Sequence, residues 1–237
     1  MLQQTQIPRV LEKYPRFLRR FPTIEALASA SLSDIMSLWH GMGYNRRALY
    51  LKRAAKYMAM HHKNCIPKTE LELRALPGVG PYSARAILCF AHGICTPFIE
   101  TNIRRVIINE YFQKKQAIDD TDILAILQEL QPKKNRREWY WALMDYGRDA
   151  LRGIPNPNTK SRHYVKQSRF EGSSRYIRAK IISYLVENKK ATAEELRASL
   201  KKDKYLIDIG RTGFAKTIAA LQKEKIITCS QDIFQIP

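Results

Sequence analysis

Three groups of residues in this chain have types and spacings that could do chemistry: a glycine-paired turn, a carboxylate at a helix start and a scatter of arginines and lysines. Leu76-Pro77-Gly78-Val79-Gly80 carries an apolar helix end into a Gly-x-Gly turn, and Pro81-Tyr82-Ser83-Ala84-Arg85-Ala86 opens a small-residue helix behind it. Gly78 and Gly80 let the backbone turn tightly and let another molecule approach closely. Free N–H groups and the positive dipole end at such a helix start favour an anion. The chemistry is a phosphate grip, with a plain helix-helix turn as the alternative. Further on, Glu100 precedes Thr101-Asn102-Ile103-Arg104, where it can cap a helix, while Asn102 and Arg104 can hold the turn and a phosphate.

The charge says which anion to expect. Lys+Arg number 41 against 22 Asp+Glu, a formal net charge of +19, the electrostatic footprint of a polyanion's partner. Residues 1–155 carry +10 and residues 156–237 carry +9, so both halves can touch phosphate. No helix pairs a basic face with a Trp/Phe-rich one, which disfavours a lipid surface. No apolar run reaches membrane-spanning length and no signal-peptide pattern opens the chain, so cytoplasmic residence, on the nucleoid if bacterial, and no membrane partner are expected. Cys65, Cys89, Cys95 and Cys229 fit no zinc or iron–sulfur spacing, and the five histidines show no metal pattern. No metal site is expected, and Cys89 and Cys95, in an apolar stretch, read as buried thiols.

The elements that must position these residues are helical. Apolar residues recur at helical spacing in Val10-Leu11-Tyr14-Phe17-Leu18, Ile35-Leu38-Trp39 and Leu49-Leu51-Ala54-Ala55-Met58. Thr23, Ser31 and Thr69 are helix-start signals, and two further helices are expected over 120–130 and 137–151. No alternating strand pattern of useful length precedes residue 200, so an all-α region over 1–152 is predicted. The breaker cluster Gly153-Ile154-Pro155-Asn156-Pro157-Asn158 opens a basic linker or loop over 153–174. Over 175–237 the pattern changes to three short amphipathic helices and a terminal hairpin, Ile226 to Cys229 paired with Ile233 to Ile236, which suggests a small winged-helix-like module.

Five strings occur in order: Met1-Leu2-Gln3-Gln4-Thr5-Gln6, Gly41-Met42-Gly43-Tyr44-Asn45-Arg46-Arg47-Ala48, Leu76 to Ala86, Glu100 to Val106 and Ala142-Leu143-Met144-Asp145-Tyr146-Gly147. Together they resemble the adenine DNA glycosylases of the endonuclease III superfamily, over about residues 1–150. The resemblance implies a helix-hairpin-helix DNA glycosylase fold and base-excision repair of double-stranded DNA by a monomer that removes a mismatched base. Adenine opposite guanine or 8-oxoguanine is the first expectation. It implies that Gly78 and Gly80 grip a phosphate, that Gln4, Tyr44 and Arg46 lie in strings that enter DNA near the lesion, and that Glu100 is the carboxylate stabilising oxocarbenium-like charge. The family has Asp where this chain has Glu100, one methylene longer. Tyr82 stands where bifunctional relatives carry a Schiff-base lysine, which implies a monofunctional enzyme without lyase chemistry.

Two departures from the family pattern leave alternatives open. The general-acid glutamate of the family immediately precedes the MLQQTQ string and is not in this chain; Glu12 is about three turns further on. Many relatives also carry a four-cysteine iron–sulfur loop after the position of Gly147, where this chain has a basic loop with Lys160, Arg162, Lys166 and Arg169. No cofactor is expected, and these four residues are read as phosphate contacts in the cluster loop's stead, or as a solvated linker. The alternatives to adenine removal are a thymine or uracil glycosylase acting on G mismatches and a DNA-binding protein without catalysis.

Overall fold

The computed structural model describes residues 1–206 and 211–237. In chain order the helices are α1 (Ile7–Arg20), α2 (Ile24–Ser29), α3 (Leu32–Trp39), α4 (Arg46–His61), α5 (Glu70–Ala75), α6 (Pro81–His92), α7 (Thr101–Tyr111), α8 (Asp120–Leu130) and α9 (Arg136–Asp149). After a 3-10 turn at Pro157–Lys160 come α10 (Ser174–Asn188), β1 (Lys190–Thr192), α11 (Ala193–Lys201), α12 (Arg211–Lys223), β2 (Thr228–Ser230) and β3 (Ile233–Gln235). Among the described residues no helix is long and apolar enough to cross a membrane.

Local chemistry explains the helix starts. The Thr23 hydroxyl accepts from the Ala26 N–H at 3.1 Å, Ser31 from Asp34 at 2.9 Å and Thr69 from Glu72 at 3.3 Å, each satisfying a donor that the first turn leaves open. Thr192 and Glu195 cap α11 reciprocally, the Thr192 N–H donating to the Glu195 carboxylate at 2.7 Å.

Two compact units result: residues 1–65 with 168–237, and residues 66–167. They cut across the three sequence segments, because the apolar faces of the C-terminal helices join the core of the N-terminal ones. Phe17, Ile35 and Trp39 belong to the same buried cluster as Ile181, Leu185, Leu196 and Leu221. The Ser33 N–H donates to the carbonyl of Pro237 at 3.0 Å. Within this unit the C-terminal module runs helix, strand, helix, helix, hairpin, and its antiparallel sheet has the order β1-β3-β2, the arrangement of a winged helix. The hairpin turns at Gln231 and Asp232, both at positive φ (48° and 59°). Strand β1 is too short to show any alternation in sequence.

The other unit is α5 to α9 around a core that includes Phe98, Ile103, Ile107, Ile123, Leu127 and Tyr140. Here Cys89 and Cys95 are joined in a disulfide, which corrects their reading as thiols. Gly93 ends α6 in the left-handed region (φ 74°), reversing the chain so that Cys95 returns onto Cys89. Part of the expected linker is core material as well. Pro157, Asn158 and Ser161 are buried, and residues on either side of Ser161 pair with Ile118, whose N–H donates to the Lys160 carbonyl at 3.0 Å and whose carbonyl accepts from Arg162 at 2.9 Å.

The tightest crossing in this unit is α9 over α7. A Cβ on Gly147 would lie 2.3 Å from the Asn102 carbonyl oxygen and 2.8 Å from its carbon, atoms of a backbone that cannot swing aside. Gly147→Ala is therefore expected to lower stability by about 1–3 kcal/mol in denaturant unfolding, the range of overpacking. Gly153→Ala, whose Cβ would meet nothing within 4 Å, is expected to be close to neutral.

Candidate active site and nucleic-acid interface

Glu100 is the N-cap of α7. One carboxylate oxygen accepts from the Asn102 N–H at 2.6 Å and the other from the Asn102 side-chain amide at 3.4 Å. Burial raises its pKa above the ordinary glutamate value, opposed by the backbone donors of α7. Tyr82, on the first turn of α6, is half-buried against Phe98 with ring centroids 5.9 Å apart. Its pKa is pushed up to about 12, by burial first and then by the negative charge of Glu100. Carboxylate and phenol thus belong to one electrostatic environment in which Tyr82 keeps its proton at neutral pH.

The hairpin before α6 leads into a helix start that is open on its outer side. Gly78 takes φ 81°, in the left-handed region that favours glycine. Gly80 is the N-cap of α6 and exposed, and a Cβ there would meet nothing within 4 Å. The open face leaves room for a phosphate at the start of a 12-residue helix.

Arg104 does not project as a free cation. Its guanidinium forms a two-pronged pair with the Asp120 carboxylate, one prong at 3.1 Å, and donates to the Ser161 hydroxyl at 3.0 Å. The arginine fastens α7 to the start of α8 and to the loop after α9. The same loop reaches α7 through Asn158, whose amide donates to the Thr101 carbonyl at 3.1 Å. Lys160 donates to the Gln113 carbonyl at 2.6 Å and Arg162 to Asp119 at 2.9 Å, so both are engaged within the protein. Lys166 is exposed, and Arg169 pairs with Glu171 at 3.5 Å while its side chain remains 77% exposed.

In the unit containing residues 1–65, Gln4 and Tyr44 are exposed and both sit at positive φ, 54° and 47°. A non-glycine residue is held there only where its surroundings over-determine it. Here the holder is Arg47, a residue that sequence reasoning passed over. Its guanidinium donates to the carbonyls of Met1 (2.9 Å), Gln3, Met42 (3.0 Å) and Gly43 (3.2 Å) and to the Thr5 hydroxyl (2.7 Å). It also lies over the rings of Trp39 (5.2 Å) and Tyr44 (5.8 Å). One side chain therefore ties the segment carrying Gln4 to the turn carrying Tyr44. The signal was its place one helical turn after Gly43, which aims it back over that turn. Arg46 points elsewhere, its Nε 3.4 Å from Glu224, and remains 57% exposed.

No group of three or more His, Cys, Asp or Glu able to hold a metal occurs among the described residues. The loop over residues 150–173 contains no cysteine, two of the four cysteines are bonded to each other, and only Cys65 and Cys229 are free. This donor set does not fit a four-thiolate cluster.

A helix-hairpin-helix unit with a half-buried carboxylate capping the next helix points to a class of DNA-directed protein, and comparison with known proteins agrees. Residues 1–137 match the model of the HhH-GPD superfamily of base excision DNA repair proteins, and the chain belongs to that family. Over 153 residues it is 39% identical to an adenine DNA glycosylase of Mycobacterium tuberculosis, covering 62% of this chain and 49% of that one. Over 108 residues it is 39% identical to the adenine DNA glycosylase of Homo sapiens, 45% of this chain and 20% of that one. The chain thus spans about half the length, or less, of these curated relatives. Among solved structures, a thermostable thymine-DNA glycosylase aligns with a TM-score of 0.55 at 24% identity, over 62% of this chain and 69% of that one. A trapped endonuclease III–DNA covalent intermediate aligns at 0.56 and 17%, over 65% and 76%. These two likenesses establish the fold.

The pKa of Glu100 has a consequence for stability. It is higher in the folded than in the unfolded state, so this group stabilises the fold below the ordinary glutamate value, and that stability is lost as pH rises through the folded value. Glu100→Gln removes the partly desolvated charge and is expected to raise Tm at pH 7. The gain should shrink towards zero below about pH 4, where both states protonate the native glutamate. Calorimetry across this range checks it.

Proposed function

We propose that this chain acts in base-excision DNA repair as a monofunctional N-glycosylase that releases adenine mispaired with guanine or 8-oxoguanine. The observation that carries the reading is Glu100: a half-buried carboxylate, fixed by two bonds from Asn102, at the start of the helix that follows an open helix-hairpin-helix turn. Cleaving an N-glycosidic bond builds positive charge on the sugar, and a prealigned carboxylate with little water around it stabilises that charge strongly. Its raised pKa also suits it to accept a proton from an attacking water. The phenol of Tyr82, protonated at neutral pH, can donate a hydrogen bond but offers no amine for a Schiff base.

The backbone of the Gly78–Gly80 turn would hold a DNA phosphate; in the other unit, Gln4 and Tyr44 would meet DNA from a scaffold braced by Arg47. Flipping a nucleotide out of the stack costs a few kcal/mol, and rigid side chains at the gap offset part of that cost. We propose that no iron–sulfur cluster takes part. The bonds of Asn158 to Thr101 and of Ser161 to Arg104 support this, since they anchor the loop after α9 through protein groups alone. The adenine assignment is supported by the named relatives.

Duplexes containing A:8-oxoG, A:G, T:G and U:G test the reading through alkali-labile strand breaks. Breaks are expected at the two adenine mismatches. Glu100→Gln is expected to slow them by about 10²–10³-fold, the range for losing one electrostatic stabiliser, while duplex affinity changes little. Breaks only at T:G or U:G would reassign the substrate. Binding of the adenine duplexes with no breaks would place the chain among non-catalytic DNA binders.

A further inference from the structure

The family match ends at residue 137, yet the C-terminal module carries a built surface of its own. Phe170 and Tyr205 are 48% and 41% exposed, and Tyr176 stands between them, edge-on to both, with ring centroids 5.3 and 6.0 Å away. Phe170 is fixed by the turn that starts α10: its carbonyl accepts from the Ser173 hydroxyl at 2.6 Å and from the Ser173 N–H at 3.1 Å. Gly172, at φ 73°, brings this turn so close to Tyr205 that a Cβ would lie 3.3 Å from the Tyr205 carbonyl.

Cations surround the rings. Lys204 and Arg169 lie over the Tyr205 ring at 4.9 and 5.9 Å, and Lys180 over Tyr176 at 5.3 Å. Two carboxylates are present. Asp203 is taken up by Lys180 and by the Tyr176 hydroxyl, both at 2.7 Å, while Glu171 pairs with Arg169 at 3.5 Å. Arg175 donates to the Ser168 carbonyl at 2.8 Å and to the Tyr44 hydroxyl at 3.4 Å, which joins this surface to the turn of Tyr44.

Exposed rings interleaved with cations are what an unpaired nucleic-acid strand requires, because bases stack on the rings while phosphates meet the cations. Bases inside a duplex offer no face to such rings. We propose that the surface formed by residues 168–176 and 203–205 binds an unpaired DNA strand, with Phe170 and Tyr205 receiving bases and Arg169, Lys204 and Arg175 receiving phosphates. The choice of DNA over RNA follows from the family to which the chain belongs; the surface itself does not depend on the adenine assignment.

Fluorescence anisotropy with a labelled oligothymidylate, using the whole chain, tests the proposal. Phe170→Leu and Tyr205→Leu keep apolar bulk and remove the ring; each is expected to weaken binding roughly ten-fold, the scale of one lost base stack. Tyr205→Phe is expected to bind within about two-fold of the native chain, and melting curves confirm that each variant is folded. Lys204→Gln supplies a second arm that leaves the rings intact, and it is expected to lower the salt slope of log K by about one unit. Ring variants that bind like the native chain would overturn the proposal, as would equal competition by polyglutamate, which marks charge alone. Tighter binding of oligouridylate would transfer the surface to RNA and overturn the assignment to DNA. Adenine release from duplexes is a separate measurement, so loss of either reading leaves the other standing.

Discussion

The unit of residues 66–167 depends on the contact of Gly147 with the backbone of Asn102. Helix α9 can lie against α7 only because no side chain intervenes at 2.3 Å, and the same residue of α7 supplies both bonds to the Glu100 carboxylate. The position of the Glu100 carboxylate is thus set by backbone packing. Around this crossing the remaining bonds are supports: Arg104 to Asp120 and Ser161, and Asn158 to Thr101, each holding an end of α7 in register with its neighbours.

In the other unit the corresponding role falls to a side chain. Arg47 gathers four carbonyls and a hydroxyl from two stretches of chain that each contain a residue in the left-handed region. Its own pKa is lowered by burial, a cost offset by charge-assisted bonds to nearly every donor it has. Rigid presentation of Gln4 and Tyr44 follows from that single ion.

Features set by neighbours in the chain were legible in the sequence. The caps at Thr23, Ser31 and Thr69, the helical periodicities, the terminal hairpin and the turn at Gly78 all rest on residues within one or two helical turns. The Glu100 cap was visible for the same reason. Features that rest on distant partners were not. Nothing near Arg104 in sequence announces Asp120, and nothing around Arg47 announces the carbonyls of Met1 and Gln3. The disulfide of Cys89 needed the reversal at Gly93, and β1 exists only because β3 returns beside it. Residues 168–174 read as linker because their aromatic and basic residues lack periodicity; their order comes from the turn at Ser173 and the approach of Gly172 to Tyr205.

The shared core of residues 1–65 and 168–237 has a bearing on how the chain comes off the ribosome. Residues 66–167 are continuous in sequence, so their contacts can close as soon as that stretch has emerged. Helices α1 to α4 emerge before that stretch but cannot finish: Ile35 and Trp39 await Ile181 and Leu221, and Ser33 awaits Pro237. Contacts of such long sequence separation form slowly, and apolar surface waiting for them is prone to aggregate. Residues 1–65 are thereby made before residues 66–167 and completed after them.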